Sequence, residues 1–337
     1  MARYGSLLQA KHLAPAMAAG AAALVAISAC DAPFNLGQPS TRALEDGAAS
    51  TLTSATNFEV TGSYSDSTTQ WTIDLQVTRP DTRHVVITSS DLNLEAIILP
   101  GGDYFRGNQF LSKHMGSDPA SRNLVRAAGN AWWKGSATDI PRMPDITDGD
   151  TFRSTFLGTA VAQRFDHVAV DGLDAVNLSG PRADVFVAAV APYHLLRVHL
   201  KKGAVVDGIS DADLRFDFAG GFRITAPTDV IDFSNLSTLP PIYTVLSVDT
   251  SGCGSPCVVA ASLKNLGGKV GARAASTINF TMTDSATRKT VGSCQVQVQP
   301  DVGYNATTRV SCTISAVGGQ QANAAIVTAT PDNPGRA

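Results

Sequence analysis

The sequence lacks the short motifs that accompany hydrolytic and zinc-dependent catalysis. Neither Gly-x-Ser-x-Gly, which exposes a nucleophilic serine, nor His-Glu-x-x-His, which binds zinc from a helix, occurs among the 337 residues. His194 and His199 are five residues apart on a predicted strand, where they point to opposite faces and cannot bind one metal together. We therefore expect surface or packing roles for both histidines, no catalytic residue, no metal site and no cofactor.

Acidic residues are missing from the first 29 residues, which contain Arg3 and Lys11. An apolar run of small residues extends from Leu13 to Ala29, and a charged segment before such a run is typical of a signal peptide. The run ends in Ile27-Ser28-Ala29-Cys30, which resembles the lipobox of bacterial lipoproteins. This resemblance implies a signal peptide at 1–29, a diacylated Cys30 as the new amino terminus, and a lipid anchor on the extracytoplasmic face of the cell membrane.

Two alternatives remain open for this segment. The apolar run of 17 residues is slightly shorter than the roughly 20 that span a bilayer as a helix, so an uncleaved anchor is one alternative. An ordinary signal peptide is the other, although a cysteine has no function at a plain cleavage site. No later segment of the sequence is long and apolar enough to cross a membrane.

No cluster of basic residues occurs in the rest of the chain. Removal of residues 1–29 leaves 24 basic and 29 acidic residues, so the mature chain has a net charge of −5. Binding to nucleic acid requires basic groups that neutralise phosphates. We therefore expect no nucleic-acid partner.

Residues 41–238 combine helical and strand periodicity. Leu44, Ala48 and Leu52 recur at helical spacing, and Ser40 or Thr41 can cap that helix. From Phe58 onward apolar and polar residues alternate, which predicts half-buried antiparallel strands at 58–64, 71–77, 92–98, 185–189, 196–200 and 214–218. Further short helices are predicted at 119–128 and 148–162. The expected architecture is an α+β domain whose helices cover one face of the sheet.

The remaining boundaries follow from composition. Pro240 and Pro241 remove backbone donors, so 239–242 is expected to be a linker. Residues 243–330 show short strand-like runs and predict a small all-β sandwich. We expect a lipidated tether at 30–40 and a disordered tail at 331–337.

Three segments of the first domain carry a family resemblance, namely Gly102–Gly107 (GDYFRG), Ala131–Lys134 (AWWK) and Ala191–Val198 (APYHLLRV). In this order they resemble the LolA-like lipoproteins of the LppX and LprG group, over about residues 41–235. The resemblance implies a curved antiparallel half-barrel sheet that holds acyl chains beneath a helical lid. Val259–Asn265 and Ile278–Thr283 resemble FxLYD or CARDB-type modules, which implies an immunoglobulin-like fold for the sandwich.

Apolar residues of the first two strands are the candidates for the wall of a lipid cavity. A curved sheet must cover its apolar face, and a lid of three short helices can leave a cavity beneath it. An alternative of nearly equal weight is that the same residues form a closed core. The candidates are Phe58, Val60, Trp71, Ile73, Leu75 and Val77.

These features predict a non-catalytic, membrane-anchored lipoprotein that binds or carries lipid or lipoglycan acyl chains. The main alternative is a structural or surface lipoprotein that binds a protein partner of the cell envelope through its C-terminal sandwich. An envelope enzyme is a weaker alternative, because the required groups of catalytic residues are missing.

Cysteine is rare, and apart from Cys30 all four cysteines lie in the last quarter of the chain. An even number in an exported chain predicts two disulfides, with a zinc site as the weaker alternative. If residues 295–299 and 308–314 form a hairpin, Cys294 faces Cys312 within bonding reach. The remaining pair, Cys253 and Cys257, can then close a tight turn.

Replacement of the predicted lipid acceptor tests the anchor. Cys30→Ser is expected to abolish acylation and processing by the lipoprotein signal peptidase, because the thioether requires the thiol. Labelling of cells with a fatty-acid analogue measures this directly. Continued labelling of the mutant would remove the lipobox hypothesis.

Overall fold

A computed structural model describes residues 37–336, except 68, 137–140, 142, 144–145, 159–160, 162, 270 and 316–324. The signal peptide, Cys30 and most of the predicted tether lie outside the described residues. The chain divides into two units, of which Pro39–Ala337 contains every element given below. Within the described residues, no helix has the length and hydropathy that a membrane span requires.

Twelve strands form one sheet, in the order β12-β6-β5-β4-β3-β2-β1-β11-β10-β9-β8-β7. All neighbouring strands are antiparallel except β12 and β6, which run parallel. The sheet is therefore mixed, whereas the sequence predicted a purely antiparallel one. A parallel neighbour requires a crossover, and the long connection after β11 provides it. The strands are β1 (Asn57–Asp66), β2 (Thr69–Thr78), β3 (Thr82–Thr88), β4 (Asn93–Leu99), β5 (Gly102–Arg106), β6 (Trp132–Gly135), β7 (Gln163–Val170), β8 (Leu173–Ser179), β9 (Ala183–Ala188), β10 (Leu195–Leu200), β11 (Ile209–Asp217) and β12 (Val230–Asp232).

The helices are short, so the protein is mostly β. They are α1 (Thr41–Ser54), α2 (Asn108–Met115), α3 (Pro119–Ala128) and α4 (Gly149–Phe152), the last continued by a π-helical turn at Arg153–Leu157. Ser40 caps α1 by accepting a hydrogen bond from the backbone of Ala43, as predicted. The predicted helix at 119–128 is confirmed, whereas the segment at 148–162 forms only α4 and the π-helical turn. Helix α2 was not predicted.

One face of the sheet and the helices share a single hydrophobic core. Leu44, Ala48 and Leu52 of α1 are fully buried, and they join the inward-facing residues of eleven strands. Phe110 of α2 and Phe156 of the π-helical turn fill the same core. The helices therefore cover the apolar face of the sheet, which is the layer arrangement that burial of a sheet face requires.

The C-terminal region contains two three-stranded antiparallel sheets, in the orders β13-β14-β17 and β16-β15-β18. Residues of both sheets form a second core, which includes Val259, Leu263, Ile278 and Phe280. The sheets therefore bury their apolar faces against each other. The strands are β13 (Tyr243–Asp249), β14 (Cys257–Asn265), β15 (Thr277–Asp284), β16 (Thr290–Gln297), β17 (Thr307–Ile314) and β18 (Ala325–Asp332).

Both predicted disulfides are present, but the hairpin that predicted one of them is not. Cys253 is bonded to Cys257, and Cys294 is bonded to Cys312. Strand β16 pairs with β15 and strand β17 pairs with β14, so the 294–312 bond joins the edges of two sheets. Alternating apolar residues can pack against each other across a sandwich core just as they can within a hairpin. The predicted cysteine pairing was therefore right, although the predicted strand register was wrong.

The predicted linker 239–242 is buried rather than extended between domains. Leu239 and Ile242 belong to the core of the large sheet. The side chain of Asn265, itself fully buried, accepts hydrogen bonds from the backbone of Ile242 and Gly267 and donates to the carbonyls of Gly268 and Val302. This single amide joins the end of the first domain to two segments of the sandwich, at 267–268 and at Val302.

The C-terminal tail differs from the expected disordered segment. Residues up to Asp332 belong to β18, and buried Asn333 exchanges two hydrogen bonds with the backbone of Tyr243. The backbone of Arg336 donates to Ala127 of α3, and its side chain forms an ion pair with Asp229. Gly335 packs so closely that an added Cβ would lie 2.2 Å from the carbonyl oxygen of Arg126. Backbone contacts fix the tail to the first domain. Amino-acid composition does not reveal such contacts, which is why the tail was expected to be disordered.

Removal of the junction amide tests this architecture. Asn265→Ala is expected to lower the free energy of unfolding by about 3 kcal/mol, because it leaves buried donors and acceptors unpaired. Asn279→Ala is the control, since it removes the same atoms from a half-buried position on β15. Urea unfolding measures both variants. Equal effects of the two substitutions would show that Asn265 does not hold the junction.

Candidate functional site

Two neighbouring pockets lie where α1 ends beside β1, β10 and β11. The first, which we call the polar pocket, has a volume of about 470 Å³ and is lined by uncharged side chains. Helix α1 supplies Ser50, Thr51 and Ser54, and the loop into β1 supplies Thr56 and Asn57. Its remaining lining residues are Gly47, Ala55, Pro192, His194, Phe218 and Gly220.

The second, which we call the amphiphilic pocket, has a volume of about 550 Å³. Its apolar wall comes from strand ends and from the residues that follow β11, whereas its rim carries charged side chains. The ion pair of Arg215 with Asp171, at 3.4 Å, closes one side of this rim. The apolar lining residues are Val170, Leu173, Leu196, Phe216, Phe218 and Ala219, and the polar ones are Glu59, Thr61, Asp171, His194, Arg215 and Asp217.

His194 and Phe218 line both pockets. Their rings are stacked with centroids 5.0 Å apart, and Phe218 stacks on Phe58 of the core at 5.7 Å. The pair therefore forms the wall between the pockets and connects it to the hydrophobic core. A molecule with a polar and an apolar part can occupy both pockets only by passing these two rings.

Two buried polar atoms at the polar pocket have no hydrogen-bond partner among the described residues. They are Oδ1 of Asn57 and Nδ1 of His194. An unpaired buried polar atom is unfavourable by about 1–3 kcal/mol. Both residues line the polar pocket, whose other polar side chains are uncharged, so the lining suits an uncharged, hydrogen-bonding ligand group.

Close packing fixes the helical side of the polar pocket. Gly47 lets α1 approach the loop before β10, since an added Cβ would lie 2.7 Å from the Cβ of Tyr193. The hydroxyl of Thr51, one turn later, lies 2.5 Å from the carbonyl oxygen of Gly47 and 3.2 Å from that of Pro192. Glycine and threonine at this spacing hold the helix against the loop that carries His194.

Carboxylates determine the charge at the amphiphilic pocket. Glu59 accepts a hydrogen bond from the side-chain amide of Gln76 at 3.0 Å. Desolvation on the sheet surface, followed by the charge of Glu59 and a hydrogen bond to it, raises the pKa of Asp74. Elsewhere on this face, the Arg197 guanidinium donates two hydrogen bonds to Asp213 and lowers the pKa of that carboxyl. The rim therefore has more acidic than basic groups.

The six predicted cavity residues lie together on the covered face of the sheet, and none is more than 7% exposed. Trp71 lines a third pocket, of about 440 Å³, with Leu92 and residues of α2. Phe58 reaches the candidate site only through its stack on Phe218. The other four pack within the core of the described residues. All six therefore belong to the hydrophobic core of the large sheet.

Sequence reasoning missed His194 and Phe218 as site residues. His194 was expected to have a surface or packing role, and its stack on Phe218 is a packing role, but its place at a pocket was not predicted. The described residues contain no group of three His, Cys, Asp or Glu side chains that could hold a metal ion. The signal that marks His194 is its unpaired ring nitrogen at a pocket, which sequence alone does not show.

Comparison with known proteins adds no identification. No protein-family model matches the chain, and no curated protein sequence matches it significantly. The likeness to the LppX and LprG group therefore stays a prediction.

The raised pKa of Asp74 predicts a pH-dependent stability. Because the folded state holds this proton more tightly than the unfolded state, the contribution is present at low pH and is lost as pH rises through the folded pKa. Asp74→Asn should therefore raise the melting temperature at pH 7 and change it little at pH 3. Asp81→Asn, in the turn between β2 and β3, is the control for the loss of one charge. An equal gain at both pH values would contradict this explanation.

Proposed function

We propose that this protein is an extracytoplasmic lipoprotein, anchored through Cys30, that binds or carries lipid or lipoglycan molecules without catalysis. The observation that carries the proposal is the pair of adjoining pockets that share His194 and Phe218. One pocket is polar and uncharged, and the other has an apolar wall. An amphiphilic ligand has the same division into a hydroxyl-bearing part and an acyl part.

Apolar burial supplies the affinity in this proposal. At about 25 cal/mol per Å², several hundred Å² of buried acyl surface contribute on the order of 10 kcal/mol before entropic costs. The polar pocket then determines orientation, because a ligand hydroxyl can satisfy Asn57 and His194. No charged or catalytic anchor is required for such binding.

The finer fold assignments belong to the same proposal. A sheet with helices over one face is compatible with the half-barrel and lid of LolA-like lipoproteins over residues 41–235. Two facing three-stranded sheets are compatible with an immunoglobulin-like module of the FxLYD or CARDB type. We propose both relationships on the sequence segments that carry them, with the pockets rather than the predicted cavity wall as the binding site.

Native mass spectrometry tests lipid binding. Protein extracted gently from its own membrane is expected to carry a lipid beyond its covalent anchor. Leu196→Trp, which enlarges a half-buried side chain at the amphiphilic pocket, should reduce that occupancy by more than half while the domain stays folded. Val205→Trp places the same ring at a position that is 62% exposed and lines neither pocket, so it should leave occupancy unchanged.

The same measurement distinguishes lipid binding from the main alternative, which is binding of a protein partner. If the parent protein carries no bound lipid, the carrier proposal is wrong and the partner-binding function through the sandwich is favoured. If Leu196→Trp and Val205→Trp retain equal occupancy, lipid binds elsewhere on the protein. Circular dichroism of both variants shows whether each one is folded.

A further inference from the structure

The outer face of the sheet carries an apolar area next to its free edge. Phe165 on β7 is aligned with Asn177 on β8, which is aligned with Phe186 on β9. A second row, Val168, Ala175 and Ala188, lies beside the first on the same three strands. The residues that point into the core from β8 and β9 are their sequence neighbours, so both rows face away from the helices.

This area is exposed where it meets the edge. Phe165 is 47% exposed, and Leu173, the first residue of β8, is 54% exposed. Strand β7 is the last in the sheet order, with no neighbouring strand beyond it among the described residues. We call Phe165, Val168, Leu173, Phe186, Ala188 and Leu196 the edge patch. Leu173 and Leu196 also line the amphiphilic pocket, so the patch leads directly to it.

The start of the folded unit is fixed to strand β7, which carries Phe165 of this patch. Arg164, the residue before Phe165, donates a hydrogen bond from its guanidinium to the carbonyl oxygen of Pro39 at 2.7 Å. Eight residues lie between Cys30 and Pro39, and the nine Cα–Cα steps from one to the other reach at most about 30 Å. An acyl group on Cys30 therefore keeps strand β7 within about 30 Å of the membrane surface.

We propose that the edge patch docks on the lipid surface of the membrane that holds the anchor. This inference rests on the proposed function, because it takes Cys30 as the point of attachment. The occupant is a bilayer, since the acyl group proposed on Cys30 would hold this end of the molecule at one. Docking places the mouth of the amphiphilic pocket at the membrane, where an acyl chain can enter without crossing water.

Apolar insertion, rather than charge, drives the docking. Acidic Asp166, Asp171 and Asp174 flank the patch, and basic Arg197 and Arg215 lie on its other side. Because both signs are present, we expect docking on neutral phosphatidylcholine vesicles with little dependence on salt. Burial of the exposed half of one phenylalanine ring corresponds to about a fivefold change in binding.

The experiment couples the mature chain through the thiol of Cys30 to a maleimide lipid in phosphatidylcholine vesicles. The other four cysteines are in disulfides and do not react. Hydrogen exchange of the coupled protein is compared with that of the free protein. Amides of residues 163–175 are expected to exchange at least about fivefold more slowly on vesicles, and amides of 325–332 are expected not to change.

Two variants make the result specific. Phe165→Ser should remove most of the protection, whereas Ile326→Ser, which removes a side chain 48% exposed on β18, should leave it intact. Protection that is absent, or that survives in Phe165→Ser, would overturn the docking proposal. Protection that requires anionic lipid would also overturn the proposal. So would protection that appears without vesicles together with a doubled mass, because a second copy of the chain would then be the occupant.

Failure of this inference and failure of the proposed function are distinguishable. Chemical coupling supplies the anchor whether or not cells acylate Cys30. Phe165 lines neither pocket, so Phe165→Ser tests docking while native mass spectrometry of Leu196→Trp tests lipid binding.

Discussion

The structure depends on covering the apolar face of a twelve-stranded sheet with very little helix. Helix α1 provides the longest cover, and Leu44, Ala48 and Leu52 form its buried stripe. Polar contacts hold its outer side, where Arg153 pairs with Glu45 and Asp46, and Arg79 donates to the carbonyl of Leu52. The polar pocket begins where this cover ends, at the C-terminal end of α1. The site is thus a direct consequence of a lid that is shorter than the sheet it covers.

The C-terminal sandwich reinforces the other end of the same sheet. Its tail binds α3 through Arg336, and its junction with the first domain is held by Asn265. Gly268 allows the close approach, since an added Cβ would lie 2.1 Å from the carbonyl oxygen of Ser237. Hydrogen bonds to buried backbone groups resist relative motion because breaking them leaves the groups unpaired. The sandwich therefore acts on the first domain as a fixed part of one body and not as a module on a flexible linker.

The periodicity of the sequence predicted the helices and strands that are determined by residues close together in the chain. The cap of α1, the helix at Pro119–Ala128 and the alternating strands β1 and β2 follow from neighbouring residues alone. The parallel pairing of β12 with β6 and the docking of Arg336 depend on residues far apart in sequence, and no local pattern encodes them. The disulfides lie between these two cases. The sequence predicted that Cys294 and Cys312 are close together, but it did not predict that they lie on two different sheets. Site residues escaped prediction for the same reason, since His194 and Asn57 meet only after folding.

Two of the buried polar atoms without a partner belong to residues that line the polar pocket. Tyr64 and Trp133 also bury polar atoms without a partner, but each lies within the core, and for Tyr64 burial raises the pKa of the phenol. Asn57 and His194 instead place their unpaired atoms in residues that line one pocket. A core that only had to fold would be more stable with apolar side chains at these positions. Under the proposed function, a ligand hydroxyl that reaches these atoms would offset the cost of leaving them unpaired.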